Sequence, residues 1–196
     1  MSAYCTLALH HPVHHRYHAH EYGYPQEDDT VLFERLCLEI MQAGLSWELV
    51  LKRRAGMNKA FANFNPRRVA KFDDQKIAAL LDDERIIRNR LKILSIIHNA
   101  QVVVGLGREG GLSGWLKQQH PQTKPEWVKA MRQTFRFMGP EIVGEFLMSV
   151  GYLPGSHHEK CPVFRHIQRL HPPWLLAEKS GFRYATKRVK LKARSP

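Results

Sequence analysis

Apolar residues at helical spacing, with almost no strict alternation of apolar and polar residues, are the feature that most constrains this chain of 196 residues. Asp28 or Asp29 can cap one helix that runs through Ala43. Gly44 can then adopt the left-handed conformation that ends it. Because β-strands that cover a core need alternation, the sequence predicts an all-α fold, with a single helical domain over residues 1–178.

Composition and charge narrow the class of protein and its partners. A hydrophobic content of 43% with 24% charged residues excludes disordered and fibrous chains. Without a membrane-spanning stretch or an export segment, we expect a cytoplasmic protein whose three cysteines are reduced or bind metal. The net charge of +12 favours a polyanionic partner. A basic C-terminal tail over residues 179–196 could bind phosphate or could simply be solvated.

The N-terminal segment is rich in histidine. Half of the 12 histidines fall between His10 and His20, in a segment that contains Pro12 and has no helical apolar period. This pattern predicts an irregular N-terminal arm over residues 1–25.

Two pairs of zinc-ligand residues lie far apart in the sequence. Cys5 and His18 belong to the arm, whereas His157 and Cys161 are four residues apart in the segment HHEKC. Together they can form a tetrahedral Cys₂His₂ site for Zn²⁺. Four protein ligands would leave no open position for water, so the predicted zinc is structural and ties the arm to residues 157–161.

Other interpretations of these residues stay open at this point. His20 or His158 could replace one of the two histidines, and Cys5 could be an ordinary exposed thiol. The histidine-rich arm could bind metal adventitiously. A zinc hydrolase that uses the metal directly is a further alternative.

A helix, a tight turn and a second helix are predicted after residue 124. Pro125 opens the first helix, the segment TFRFMG over residues 134–139 forms the turn, and Pro140 opens the second helix. Unpaired N–H groups at that second start can face an anion. Arg132 and Arg136 beside the turn favour phosphate, although a helical corner that only packs would have the same pattern.

One carboxylate lies among apolar and aromatic residues. On a helical projection, Glu39 falls at the edge of the buried face of its helix. A half-buried glutamate needs a hydrogen-bond donor, which makes it a candidate for recognising a donor-rich or cationic ligand. Trp47 follows closely, and the arm supplies Tyr17, Tyr22 and Tyr24, whose rings could stack on a base. The alternative is that Glu39 pairs with an arginine and Trp47 belongs to the core.

Five segments, in this order, resemble the DNA-3-methyladenine glycosylase I family of base-excision repair enzymes. They span roughly residues 5 to 161, and they are YHAHEYG, LFERLCLEIMQAGLSW, IIRNRLKI, FRFMGPEIV and HHEKC. The resemblance implies a helix-hairpin-helix DNA glycosylase fold with a structural zinc. The residues that it implies are Glu39 as the catalytic and base-recognising acid; Tyr17 and Trp47 as pocket aromatics; the hairpin Phe135–Gly139, with Arg136, Phe137, Met138 and Gly139 binding DNA; and Cys5, His18, His157 and Cys161 as the metal ligands. Tyr22 is a further candidate to bind the substrate, at a position where the family usually has Trp.

The activity implied is hydrolysis of the N-glycosidic bond of 3-methyladenine flipped out of duplex DNA by a monomeric enzyme. Tyr17 and Trp47 would sandwich the cationic base, and Glu39 would accept hydrogen bonds from its N–H groups. No aspartate follows the hairpin to position water. Glu145 and Glu159 are acids nearby, and we assign the role to neither. The lability of an alkylated leaving group would make such an acid unnecessary.

Departures from the family pattern affect substrate preference more than fold. Leu7, His14, Ala19 and Tyr22 replace residues that are usual in the family, and three of them, Leu7, His14 and Tyr22, would line or border the pocket. An altered lesion preference, or a non-catalytic helix-hairpin-helix module that only binds DNA, are therefore the alternative functions.

Overall fold

The computed structural model describes residues 3–184, so residues 185–196 of the predicted basic tail lie outside the described residues. The described residues form α-helices, turns and two 3₁₀ segments without any strand, which confirms the all-α class. The α-helices are α1 (Ala3–Ala8), α2 (His14–His20), α3 (Asp29–Gln42), α4 (Trp47–Ala60), α5 (Pro66–Val69), α6 (Asp74–Asp82), α7 (Arg90–Gly105), α8 (Gly111–Gln119), α9 (Lys124–Thr134), α10 (Pro140–Ser149), α11 (Pro162–Arg169) and α12 (Pro173–Lys179). Within residues 3–184, no helix is both long and apolar enough to cross a membrane.

Helix α3 lies at the centre of the fold. It starts where the Asp28 carboxylate accepts hydrogen bonds from the N–H groups of Thr30 and Val31, and it ends before Gly44, which has a φ of +76°. Asp28 is one of the two residues predicted to cap this helix, and Gly44 is the residue predicted to end it. The helix contacts α4, α7, α8 and α10, and most of its residues are buried. A side chain on α3 is therefore held by packing on several sides.

The N-terminal arm is helical where the sequence predicted an irregular segment, so that prediction is wrong for α1 and α2. His14, Tyr17 and His18 are spaced by three and four residues and form one buried face of α2. The apolar pattern does not show this face because imidazole and phenol rings make up most of it.

Helix α9, a tight turn and helix α10 form the predicted helix, hairpin and helix. Phe137 in the turn has a φ of +65°. The buried Asn99 holds the turn from the inside: its Oδ1 accepts from the Arg136 N–H at 2.8 Å, and its Nδ2 donates to the Arg136 carbonyl at 3.1 Å. Arg132 Nε donates to the Met138 carbonyl at 2.9 Å. Side chains of α7 and α9, the buried Asn99 and the exposed Arg132, therefore hold the shape of the hairpin.

Candidate functional site

A cavity of about 540 Å³ opens where the arm faces helices α3, α4 and α10. Its volume lies within the usual range for small-molecule sites, roughly 300–1,000 Å³. The residues that line it are Tyr4, Tyr17, Tyr22, Glu39, Gln42, Trp47, Glu141, Glu145, Met148, Gly155 and Ser156. The structure thus brings together all four residues that the sequence predicted to bind the base, namely Tyr17, Tyr22, Glu39 and Trp47.

Glu39 is more deeply buried than its place on the helical projection suggested, with 4% of its surface exposed. The projection considers α3 alone, whereas the arm covers the other side of the side chain. Burial raises the pKa of Glu39 well above its usual range, the Glu145 carboxylate raises it further, and Arg35 opposes the shift.

The Glu39 carboxylate has no ion-pair partner within residues 3–184. Arg35, the guanidinium that would satisfy it, instead forms an ion pair with Glu21, which also accepts from Arg54 Nη1 at 2.7 Å. The alternative in which Glu39 pairs with an internal arginine is therefore wrong. The carboxylate faces the cavity and can accept hydrogen bonds from a ligand.

The aromatic rings are not arranged as the predicted sandwich. The ring centroids of Tyr17 and Trp47 are 5.0 Å apart with an interplanar angle of 63°, so the two rings touch edge to face. The Arg35 guanidinium lies 4.8 Å from the Tyr17 ring centroid. Because no gap for a base separates Tyr17 from Trp47, a base in this cavity would stack on one ring and meet the other at its edge.

The arm supplies two further rings to the cavity wall. Tyr4 and Tyr22 touch edge to face, with centroids 5.6 Å apart. Tyr24 does not take part: its hydroxyl donates to the Ala19 carbonyl at 2.6 Å, and it is absent from the cavity lining. Leu7, expected to border the pocket, is 52% exposed and does not line it.

Sequence reasoning missed several residues of the site. Glu145 on α10, named from the sequence only as an acid near the hairpin and given no role, is the most relevant to chemistry. It is a second carboxylate in the cavity and accepts a hydrogen bond from the Tyr22 hydroxyl at 2.9 Å. Gln42 carries a signal that could have been used, since it lies three residues after Glu39 on the same helix. Tyr4, Met148 and Ser156 give no such signal.

The four predicted metal ligands lie together and are all buried. Cys161 Sγ lies 3.6 Å from His18 Nε2 and 3.4 Å from His157 Nδ1, and Cys5 Sγ lies 3.9 Å from His157 Nδ1. A tetrahedral zinc ion with bonds of about 2.0–2.3 Å needs ligand separations of about 3.3–3.8 Å. The donor set fits zinc, with both Cys161 separations inside this range and the Cys5 separation 0.1 Å beyond it.

A neighbouring carbonyl orients His157, and the two alternative histidines lie outside the cluster. His157 Nε2 lies 2.8 Å from the Tyr22 carbonyl, and a hydrogen bond there leaves Nδ1 as the ligand atom. His20 and His158 are exposed and do not belong to the cluster. His158 Nδ1 accepts instead from the Lys160 N–H at 3.1 Å.

The predicted DNA-binding hairpin presents its backbone more than its side chains. Arg136 is exposed and Phe137 is partly buried, whereas the Met138 side chain packs in the core with 4% exposed. Met138 could therefore contact DNA only through its backbone. The N–H groups of Phe137, Met138 and Gly139 donate no hydrogen bond to any residue between 3 and 184, which leaves them available to an anion.

Comparison with known proteins identifies the family of this chain. Residues 7–133 match the family model described as Methyladenine glycosylase. The chain is 31% identical over 182 residues to the DNA-3-methyladenine glycosylase of Haemophilus influenzae, a match that covers 83% of this chain and 98% of that protein. It is 40% identical over 106 residues to DNA-3-methyladenine glycosylase 1 of Escherichia coli, which covers 54% of this chain and 57% of that protein. The chain belongs to the methyladenine glycosylase family.

Solved structures are similar to this fold as well. A Staphylococcus aureus 3-methyladenine DNA glycosylase I, from work on the structural basis of 3-methyladenine recognition, matches with a TM-score of 0.73 and 28% identity over 81% of this chain and 95% of that chain. A variant of 3-methyladenine DNA glycosylase I in complex with 3-methyladenine matches with a TM-score of 0.73 and 29% identity, over 81% and 96% of the two chains.

Proposed function

We propose that this protein is a DNA-3-methyladenine glycosylase, which hydrolyses the N-glycosidic bond of 3-methyladenine flipped out of duplex DNA. The observation that carries the proposal is Glu39, a buried carboxylate without an ion-pair partner in residues 3–184, at the wall of an aromatic cavity. The names of the relatives in Haemophilus influenzae and Escherichia coli support the same activity.

Glu39 would distinguish the damaged base from normal adenine by charge. A 3-methyladenine nucleotide carries a positive charge on its base, whereas adenine is neutral. Because burial raises the pKa of Glu39, an ionised carboxylate is costly in the empty cavity. A cation placed beside it offsets that cost, and a neutral base does not. The cavity would therefore bind the cationic base more strongly than adenine.

Little acid catalysis is needed for this reaction because the positive charge already weakens the bond between base and sugar. The main contributions of the protein would be to hold the flipped base and to exclude water from its stacking faces. Glu39 would accept the N–H hydrogen bonds of the base, and the Tyr17 and Trp47 rings would contact its apolar surface.

We also propose that Cys5, His18, His157 and Cys161 hold a structural zinc ion. The spacing of the four buried ligand atoms and the contact between His157 and the Tyr22 carbonyl support this. A zinc ion with four protein ligands supplies order and no open position for water, which argues against a zinc hydrolase. Tyr4 is adjacent to Cys5 and Tyr17 is adjacent to His18, so the ligands also position two rings of the cavity.

The DNA partner would be held by the hairpin between α9 and α10. The available N–H groups of Phe137, Met138 and Gly139 and the exposed Arg136 suit a phosphate group. Contacts of this kind position a duplex without reading its sequence. This suits an enzyme that has to find a damaged base in any sequence context.

The test is release of 3-methyladenine from methylated duplex DNA by the wild type and by Glu39→Gln. We expect the variant to lose at least about a hundredfold in rate, the usual effect of removing one transition-state contact with a developing or existing charge. Its affinity for undamaged duplex should stay within about twofold, because the hairpin is unchanged. Glu159→Gln, which changes an exposed acid outside the cavity, is the matched control and should keep full activity.

The same assay separates the proposed enzyme from a DNA-binding module without catalysis. Duplex binding by the wild type, without release of any alkylated base, would support the module. Unchanged release by Glu39→Gln would remove Glu39 from the mechanism while leaving the family membership intact.

A further inference from the structure

A second group of metal-ligating side chains lies beside the cavity and shares no residue with the Cys₂His₂ cluster. His11, three residues before α2, His14, the first residue of α2, and Glu48, in the first turn of α4, place one ligand atom each within 4.8 Å of one another. The Tyr4 ring separates the two groups, since it touches the His14 ring on one side and the His18 ring on another, with centroids 5.7 and 5.8 Å apart.

His14 is the residue in this group that most needs a partner. Its side chain is 4% exposed, and within residues 3–184 its buried Nδ1 forms no hydrogen bond. Burial lowers the pKa of His14 and His11 lowers it further, whereas Glu48 raises it. A buried ring nitrogen without a hydrogen bond is costly, and a metal ion is one partner that would satisfy it.

The other two residues are placed to complete a site. The rings of His11 and His14 lie 4.5 Å apart at their centroids. His11 Nδ1 accepts from the Val13 N–H at 3.3 Å, which leaves its Nε2 as the ligand atom. Glu48 Oε1 forms an ion pair with Lys52 at 2.7 Å, but both side chains are exposed. Exposed pairs of this kind contribute little to stability, and the pair leaves the second carboxylate oxygen available.

We propose that His11, His14 and Glu48 bind a divalent transition-metal ion of the zinc class. Two imidazoles and one carboxylate are a common ligand set for such ions, and three protein ligands leave a coordination position for water or another small ligand. His11 and Glu48 are partly exposed, so this ion can exchange with solution, unlike an ion held by four buried ligands.

The proposed ion would lie between two helices that carry rings of the cavity wall. Glu48 follows Trp47 directly on α4, and His14 lies three residues before Tyr17 on α2. An ion that joins Glu48 to His14 would therefore tie together the two helices that carry these rings. The proposal concerns metal binding alone and does not depend on the glycosylase activity.

The experiment uses the full chain, metal-free at first and then titrated with Co²⁺ while the absorption spectrum is followed. The Cys₂His₂ site should give a thiolate-to-cobalt charge-transfer band with the first equivalent. A second equivalent should add visible ligand-field bands without further thiolate absorption. Glu48→Gln, which changes a surface residue and should fold normally, and His14→Gln should each weaken the second equivalent at least about tenfold while keeping the thiolate band.

His15→Gln and His20→Gln are matched controls, because both residues are exposed histidines of the same arm outside the group. They should leave the second equivalent unchanged. A wild type that binds one equivalent only would overturn the proposal. A second equivalent that is insensitive to Glu48→Gln, or that is weakened equally by the two controls, would mean adventitious binding to a histidine-rich arm and would overturn it as well.

Discussion

The two sides of the cavity are built in different ways. Glu39 and Gln42 lie on α3, which crosses the core and has nine of its 14 residues buried. Tyr4 and Tyr17 lie on α1 and α2, which have only six and seven residues. Helices of that length are not stable by themselves in water. The first side is thus held by apolar burial, whereas the second side depends on specific links to the rest of the chain.

Those links are mostly polar. The four buried cysteine and histidine side chains that we propose as zinc ligands place the arm against the loop after α10. Glu21, just after α2, accepts from Arg35 on α3 and from Arg54 on α4. The Gly23 N–H donates to the Ser149 carbonyl at 2.8 Å. The α3 side of the site should therefore tolerate changes in conditions, whereas the arm side should respond to loss of metal and to changes in charge.

Loss of a metal ligand should give the largest effect on the arm side of the cavity. In Cys161→Ser we expect the bound zinc to fall by one equivalent, because a hydroxyl is a much poorer ligand than a thiolate. Without the ion, the arm loses its main link, and base release should fall at least about tenfold. Zinc content by mass spectrometry and a base-release assay measure the two effects.

Cys37→Ala is the control for that experiment. Cys37 is also a buried cysteine, but it lies on α3 outside the cluster. It should keep its zinc and lose only packing energy. Full zinc content in Cys161→Ser would show that the cluster is not a metal site.

Removal of the arm's charged link should have the next largest effect. The Arg35 side chain is only 4% exposed. In Glu21→Gln its buried guanidinium would lose its carboxylate partner. Breaking a buried pair on one side costs about 3–5 kcal/mol; because Glu21 is 19% exposed, we expect about 2–4 kcal/mol of the free energy of unfolding. Urea denaturation measures it. Glu27→Gln breaks an exposed pair with Lys117 and should cost less than about 1 kcal/mol.

The same difference explains what the sequence could predict. Helix α3, its cap at Asp28 and its end at Gly44 follow from local hydrogen bonding and from an apolar period, both of which are visible in the chain. Glu39 could be singled out because a carboxylate beside apolar residues is unusual. Resemblance to the family then brought the four distant metal ligands together, which spacing alone left open.

The features of the site that the sequence did not predict depend on contacts between segments far apart in sequence. Glu145 joins the site because α10 packs against α3, and no local pattern reports that packing. The helices of the arm were missed because their buried face is made of histidine and tyrosine. The edge-to-face contact of Tyr17 with Trp47 depends on how α2 meets α4, so the predicted sandwich was wrong although both residues line the cavity.

Glu39 allows a test of the side of the cavity that α3 forms. Here a residue needed for function should lower the free energy of unfolding. The folded-state pKa of Glu39 is raised, so its contribution to stability is present below the pKa of the unfolded chain and is lost as pH rises through the folded-state pKa. Glu39→Gln should therefore be more stable than the wild type at about pH 8, by roughly 1–3 kcal/mol, and the gap should shrink toward about pH 4. Thermal denaturation across this range measures it. A difference that does not change with pH would contradict the prediction.

The smallest expected effect concerns the bridge between the two sides, where the Tyr22 hydroxyl of the arm donates to Glu145 on α10. Tyr22→Phe keeps the ring and its contacts with Tyr4 and Tyr17 but leaves Glu145 without that donor. A second carboxylate with fewer partners should raise the pKa of Glu39 further, so the acid side of the pH–rate profile should move to higher pH. At neutral pH the rate should change by no more than about fivefold, since a typical hydrogen bond contributes about 1 kcal/mol. Tyr22→Phe in a Glu145→Gln background is the control, because the shift should disappear once the second carboxylate is gone. A shift that persists in the double variant would mean that the Tyr22 hydroxyl acts on the base directly and not through Glu145.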